Sequence, residues 1–424
     1  MRQSTEESDI SSRPSSLKRS LTWWVVVLAA GLISAMTFPG QTAGLSVFTD
    51  PLIDELGIDR TAISLSYLVG TLLGASVQPF IGRALDKWDT RTVIICIGAG
   101  FAAILLLLSF VTEIFGLTVG FIGVRMAGQG ALSLAATTAI SRAVTERRGL
   151  ALGISAAVGS AGISLAPIAL ERLISAVGVH WAWRWEALAV LLVVVPAALL
   201  MRPTDRRGDH DPNSVAAHGW TRGQARRTGM FWVICAATSS TSMLGTALVF
   251  HQIAILGGQG LSPLEAAANF LPQTVTALLS TLLVGGLIDR TNPRIWLVVS
   301  MASLAGALLF IPLAAPGLMG ILYGLILGCA QGSQRGMEAA SMVKYFGVLH
   351  IGAIRGLSVS ISLAASAFGP YALAFAADLA DGFVLPIMVM SIIPLAVLVA
   401  GLLVKDPREP EAFDGADRSG HAAP

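Results

Sequence analysis

GRALDKWDTR (Gly82–Arg91) occurs a second time in this chain, in altered form, as GLIDRTNPR (Gly286–Arg294) with Gly285 before it. Gly82, Asp86, Lys87 and Arg91 return as Gly285, Asp289, Arg290 and Arg294, each 203 residues later. Other correspondences keep nearly the same offset. Gln129-Gly130 returns as Gln331-Gly332 and Pro167 as Pro370, while Arg148-Gly149 returns as Arg355-Gly356 after a small insertion. A string of matches spread over half a chain marks two related halves.

The surroundings of the repeat are apolar. Hydrophobic residues make up 54% of the 424 residues and charged residues 13%, with a mean hydropathy of +0.72. A soluble fold carries about 25% charged residues. Charge-free runs such as Arg60 to Arg83, Arg91 to Glu113 and Asp381 to Lys405 each supply the ~20 residues that cross the hydrocarbon as a helix. Twelve spans are expected, at roughly 22–47, 61–83, 92–112, 116–142, 149–176, 185–201, 229–256, 264–288, 294–313, 318–344, 353–376 and 383–404. None shows the alternation of a barrel strand. The expected fold is an all-α membrane protein of twelve transmembrane helices, arranged as two pseudo-symmetric six-helix bundles.

The bundles are expected at 21–202 and 229–404, joined by a polar linker at 203–228, with polar tails at 1–20 and 405–424. Residues 1–20 are Ser-rich and expected to be disordered. The first span is too long for a signal-peptide core and is expected to stay as an anchor. With both termini inside, nearly all Lys and Arg fall in inner segments, and the outer loops keep only Arg60 and Arg184, with Arg172 near an outer helix end. This predicts a multi-pass plasma (inner) membrane protein with cytoplasmic termini. A monomer in the lipid bilayer is expected.

Several classes are excluded. The net charge of +2 does not suit a nucleic-acid binder. Cys96, Cys235 and Cys329 lie in apolar stretches and form neither a disulfide framework nor a metal-ligand spacing. No phosphate-cradling GxxxxGKS/T loop occurs, so ATP does not drive the protein. No catalytic set, cofactor or metal is expected.

The repeated loop resembles the signature of the major facilitator superfamily, and the resemblance covers nearly the whole chain. Arg125 with Gly128-Gln129-Gly130 is similar to that family's fourth-helix Arg-plus-glycine motif. SRAVTERRGLALGI (Ser141–Ile154) and the linker from Arg202-Pro203 to Phe231-Trp232 resemble the monocarboxylate and oxalate:formate antiporter group. The aspartate–arginine pair that animal monocarboxylate carriers hold in the eighth helix is missing, because 266–288 is free of charge. GQTAG (Gly40–Gly44) stands where their acidic-aromatic motif belongs. The resemblance implies a secondary transporter of a small, monocarboxylate-like organic anion working by alternating access, driven by a proton or a counter-anion. A drug or metabolite exporter of the same superfamily is the alternative within transport. A sensor or scaffold that binds without flux is the alternative outside it.

Site candidates follow from polar residues in apolar spans. Arg125 lies nine residues into the fourth helix, about 13 Å deep at 1.5 Å per residue, where an arginine is expensive and functional by default. It can clamp a carboxylate or be tied structurally to carbonyls or to Gln129. Gln41, His251, Asn269, Gln273 and Gln331 are weaker candidates for substrate contact, and more commonly such residues bond between helices. Arg335 and Glu338 share a face at i,i+3 spacing and are expected to pair; a proton-coupling role is the alternative. The signature residues Gly82, Asp86, Arg91, Gly285, Asp289 and Arg294 are assigned to gating: the glycines permit close backbone approach, and the charges form contacts that break between states. Trp181, Trp183 and Trp185 are expected to form an outer interfacial belt.

Overall fold

A computed structural model describes residues 16–144, 148–201, 220–288, 290–347 and 351–407. The first bundle contains α1 (Ser16–Ala35, resuming as Thr42–Leu56), α2 (Arg60–Ser76 and Gln78–Lys87) and α3 (Thr90–Leu108). It continues with α4 (Ile114–Val124, Arg125–Leu132 and Ser133–Ala143), α5 (Arg148–Val177) and α6 (Val179–Leu200). The second bundle opens with α7 (Gly229–Phe250 and Gln252–Gly257), α8 (Pro263–Ala268 and Phe270–Leu287) and α9 (Pro293–Phe310). It closes with α10 (Leu318–Phe346), α11 (Ile351–Leu379) and α12 (Val384–Met390 and Ile392–Leu403). One apolar core gathers buried side chains from Val26 to Met201 together with Phe250, and a second runs from Ala225 to Ile387.

Among the described residues, eleven of the twelve helices are long and apolar enough to cross a membrane. The remaining one, α10, spans 29 residues but carries Gln331, Gln334, Arg335 and Glu338 in its second half. Its other face explains how it packs. Gly320, Gly324, Gly328, Gly332 and Gly336 recur every fourth residue, and the last four turn toward α8. A methyl built on Gly328 would sit 2.2 Å from the carbonyl oxygen of Gln273, and one on Gly332 would sit 2.2 Å from that of Ala277. Backbone therefore lies on backbone, the small-residue packing that membranes favour. This fixes α10 with its polar residues turned away from α8.

Two helices depart from the expected continuous span. α1 breaks at Thr37–Gln41, where Phe38–Gly40 form a single 3-10 turn containing Pro39, and then continues nine residues beyond the expected end at 47, to Leu56. Proline removes a backbone donor and ends the ladder. In α4, Arg125–Leu132 takes the wider π form, a local expansion common at functional sites. The two irregularities meet. A methyl on Gly40 would lie 2.2 Å from the carbonyl oxygen of Val124. The tryptophan belt is also divided: Trp181 and Trp185 are exposed, whereas Trp183 is buried and stacks on Phe48 at 3.7 Å between ring centroids. Alternation along α6 sends its indole inward.

The ends of the two halves that carry the signature loops share a device that sequence matching missed. Arg142 Nη1 donates to the carbonyl of Leu85 at 2.6 Å and to Thr90 Oγ1 at 3.1 Å. Lys344, 202 residues on, donates to the carbonyls of Ile288 at 3.1 Å and Thr291 at 2.8 Å. In each half a cation at the end of the fourth helix thus pins the signature loop through its backbone carbonyls. From the linker, only 220–228 is described: Trp220 N donates to the carbonyl of Phe346 at 3.0 Å, and Thr221 with Gln224 forms a capping box.

Candidate functional site

The two bundles close on each other at one end. Thr61 of α2 donates to Asp378 of α11, and the guanidinium of Arg60 lies 5.6 Å from the ring of Phe383. His251, at the break in α7, is 1% exposed; its Nε2 lies 3.0 Å from the carbonyl of Pro370 and 3.4 Å from Ser64 Oγ. Tyr67 packs its ring on Phe250. Ser164 of α5 bonds Thr274 of α8 deeper in. Among the described residues, no hydrogen bond joins the halves at the end that carries the signature loops.

Beyond this closure, between the halves, lies a cavity of about 480 Å³. α1 contributes Gln41 and Thr42, α5 Ser160 and Ser164, α8 Gln273 and Thr274, and α10 Gln331, Gln334, Arg335 and Glu338. α7 supplies Thr238, Thr241, Ser242, Gly245 and Thr246, an i,i+3,i+4 stripe of small polar residues on one helix face. TSSTSMLGT (Thr238–Thr246) does not show that stripe, since five consecutive hydroxyl residues at 238–242 cover every side of the helix.

Bond partners separate the committed polar groups from the free ones. Gln334 is held by Ser300 and Thr238 at 3.0 Å each. Gln273 donates to Gln252 at 2.7 Å and to Asn269 at 3.0 Å, and Asn269 donates to the carbonyl of Gly320 at 2.5 Å. These amides tie α7, α8 and α10 together, so Asn269 is a packing residue outside the cavity and Gln273 faces the cavity already engaged. Gln41 Nε2 donates to Thr37 Oγ1 at 3.1 Å.

The expected Arg335–Glu338 pair is not formed. Glu338 instead takes a two-pronged ion pair from Arg355 of α11, at 3.1 Å from Nε and 2.9 Å from Nη2. Helical spacing places Arg335 and Glu338 on one face, but Arg355 reaches both carboxylate oxygens from the neighbouring helix, a bidentate geometry that Arg335 does not adopt. Arg335 reaches only Gln331 Oε1, at 3.3 Å. Among the described residues it has no carboxylate within ion-pair distance. It is the cavity-lining cation left without a counter-charge.

Arg125 lies elsewhere. It is 4% exposed, with Nε 3.0 Å from Thr71 Oγ1, Nη1 3.0 Å from the carbonyl of Gly40, and its guanidinium 4.6 Å from the Tyr67 ring. Tyr67 in turn bonds Thr42 at 2.7 Å. Arg125 thus knits the break of α1 to α2 and α4. Arg125 lines a separate pocket of about 380 Å³ with Gln78, Gln129 and Ser133 of its own half and Leu363 of α11. Neutral carbonyl and ring acceptors satisfy an arginine in a low-dielectric site without fixing a negative charge there.

Of the gating candidates, Gly82 and Gly285 would meet nothing within 4 Å on gaining a methyl, so neither makes the close approach expected of it. Arg294 donates to the carbonyl of Val404 at 2.5 Å and pairs with Asp406 at 3.0 Å, joining α9 to the end of α12. Arg91 has no partner among the described residues. Asp289 and the side chain of Asp86 lie outside the described residues.

His251 is buried in the closure rather than solvated, and it does not line the cavity. His251→Ala is expected to remove about 1–3 kcal/mol from that closure, the cost of losing buried hydrogen bonds. Spin labels in the 57–59 and 258–262 loops should then show longer and broader distances. An unchanged distribution would take His251 out of the latch.

The arrangement agrees with comparison. Residues 23–370 match the sequence profile described as Major Facilitator Superfamily. The chain is 26% identical over 235 residues to the "Oxalate:formate antiporter" of Oxalobacter formigenes, the match covering 54% of each chain. It is 32% identical over 189 residues to "Monocarboxylate transporter 13" of Rattus norvegicus, with 42% of each covered. The chain thus matches only about half the length of these relatives. Among solved structures, a bacterial homologue of the lysosomal transporter Spinster, in an inward-facing, unoccupied conformation, aligns with a TM-score of 0.71 and 17% identity over 90% of this chain and 96% of that one. The nucleoside transporter NupG aligns with a TM-score of 0.73 and 12% identity over 89% and 98%. At those identities the likeness is one of fold. With a family profile covering most of its length and twelve helices in two bundles around a central cavity, the chain belongs to the Major Facilitator Superfamily.

Proposed function

We propose that this superfamily member is a secondary transporter for a small organic anion, held at Arg335 in the cavity between the bundles. The observation that carries the reading is the unpaired guanidinium. Arg335 is exposed to the cavity, and an entering carboxylate supplies its missing partner with two parallel hydrogen bonds. Glu338 does not compete, because Arg355 holds it. The names of the two curated relatives, an oxalate:formate antiporter and a monocarboxylate transporter, both point to carboxylates. The hydroxyls and amides of the cavity wall, set among Ile163, Val249, Phe270 and Leu278, give a polar solute several groups to bond.

The Lys and Arg bias puts both termini on the cytoplasmic side. In that orientation the Thr61–Asp378 and His251 contacts close the outer end and the cavity faces inward. Alternating access then exchanges this closure for one between the signature loops, which Arg142 and Lys344 hold in shape. The test is uptake into proteoliposomes, screening carboxylates with and without a pH gradient. Saturable uptake above that of protein-free vesicles is expected, stimulated either by an inward proton gradient or by preloaded anion. Uptake of neutral solutes with no carboxylate transported would overturn the reading.

A further inference from the structure

The free groups of the cavity define more than a negative charge. Thr241 is 8% exposed and its Oγ1 is buried without a partner. Ser160, Ser242 and Thr246, which line the same space, make no side-chain hydrogen bond among the described residues. The cavity amides behave differently: Gln273, Gln334 and Gln41 are bonded to protein. The groups left open to a ligand are therefore four hydroxyls, three of them on the α7 stripe and one opposite on α5, beside the Arg335 guanidinium and the Gln331 amide nitrogen, whose side chains bond only each other among the described residues.

From this set, and resting on the anion reading above, we infer that the substrate is a monocarboxylate bearing several hydroxyl groups, such as a sugar acid. Its carboxylate pairs with Arg335, and its hydroxyls satisfy Thr241, Ser242, Thr246 and Ser160. Each protein hydroxyl both donates and accepts, as does each substrate hydroxyl, so the two sets fit without leaving an unmatched donor. A plain fatty acid would leave the four hydroxyls unsatisfied in a site it had dried, a penalty paid at each. A dianion would find no second free cation, because Arg355 is spent on Glu338. A cavity of about 480 Å³ admits a chain of about six carbons, since small-molecule sites run ~300–1,000 Å³.

The experiment is calorimetric titration of the purified full-length protein with gluconate, hexanoate, oxalate and sorbitol. Gluconate should bind about tenfold or more tighter than hexanoate or oxalate, as hydroxyl-reading sites reject analogues that lack the group, and sorbitol should not bind. Thr241→Val and Thr246→Val keep the side-chain shape. They should weaken gluconate by about tenfold or more together and leave hexanoate unchanged, which also reports that the variants are folded. Hexanoate equal to gluconate, or oxalate tighter than gluconate, with Arg335→Gln weakening whichever acid binds, would overturn the hydroxy-acid inference and leave the anion reading intact. Gluconate binding that the valines do not touch would do the same. Sorbitol binding as well as gluconate, or acids unaffected by Arg335→Gln, would overturn the anion reading itself and this inference with it.

Discussion

Arg335→Gln is expected to reduce carboxylate affinity by about 100-fold, or about 3 kcal/mol, the range measured when one partner of a desolvated charge pair is removed. Transport at low substrate concentration should fall by the same order. Glutamine keeps much of the length and some hydrogen bonding, so the cavity wall survives and the loss reports the charge. Arg335 has no carboxylate among its described neighbours and bonds only Gln331, so no buried ion is orphaned by the change and thermal stability in detergent should be nearly unchanged. The opposite pattern is expected for Arg125→Gln. Arg125 joins Gly40, Thr71 and Tyr67 across three helices, so its loss should lower stability with a smaller direct effect on affinity. Binding and thermal-shift measurements on both variants separate a ligand cation from a structural one. Equal affinity losses in stable protein would show that both arginines touch the anion.

Gly332→Ala is expected to be among the most damaging single methyl additions in the chain. The new Cβ would sit 2.2 Å from the carbonyl oxygen and 2.7 Å from the Cα of Ala277, both backbone atoms that cannot rotate away. α8 and α10 must then separate, which also strains the contacts at Gly328 and Gly324 and the Thr281 bond to the Gly332 carbonyl at 3.0 Å. Overpacking costs about 1–3 kcal/mol where side chains can shift; a backbone contact should reach or exceed the top of that range. The same methyl at Gly306, in α9, meets nothing within 4 Å. There the better helix propensity of alanine should stabilise the protein slightly, by up to about 1 kcal/mol. The comparison is read from melting temperature and from monodispersity in detergent. If Gly332→Ala were as stable as Gly306→Ala, the α8–α10 contact would be looser than described.

How much of this could be read from the chain depends on which interactions are local. Lengths of apolar runs and the 203-residue offset of Gly82 and Asp86 suffice for twelve helices in two halves, because a helix in lipid must satisfy its own backbone. The break at Thr37–Gln41 was hidden because Phe38, Pro39 and Gly40 carry no charge, and counting charges cannot see a missing backbone donor. Site chemistry was partly legible. Gln41, Gln273, Gln331, Arg335 and Glu338 do line one cavity, but spacing alone could not say which of them were already bonded. The i,i+3 relation of Arg335 and Glu338 suggested a pair, whereas Arg355, 17 residues past Glu338 on the next helix, reaches the carboxylate. Arg125 drew attention by depth, and depth does not distinguish an arginine facing carbonyls from one facing a ligand. The hydroxyls of α7 were passed over because Ser and Thr are common in membrane helices, and only their lack of partners marks them.

The account stands most directly on where a bound anion sits. A crystal structure of the protein soaked with a brominated monocarboxylate, recorded at the bromine absorption edge, locates that anion without reliance on activity. The predicted result is one anomalous peak in the central cavity, within reach of Arg335 and the α7 hydroxyl stripe and weakened in crystals of Arg335→Gln. A peak in the separate pocket beside Arg125 and Gln129, or none between the bundles at saturating concentration, would contradict it.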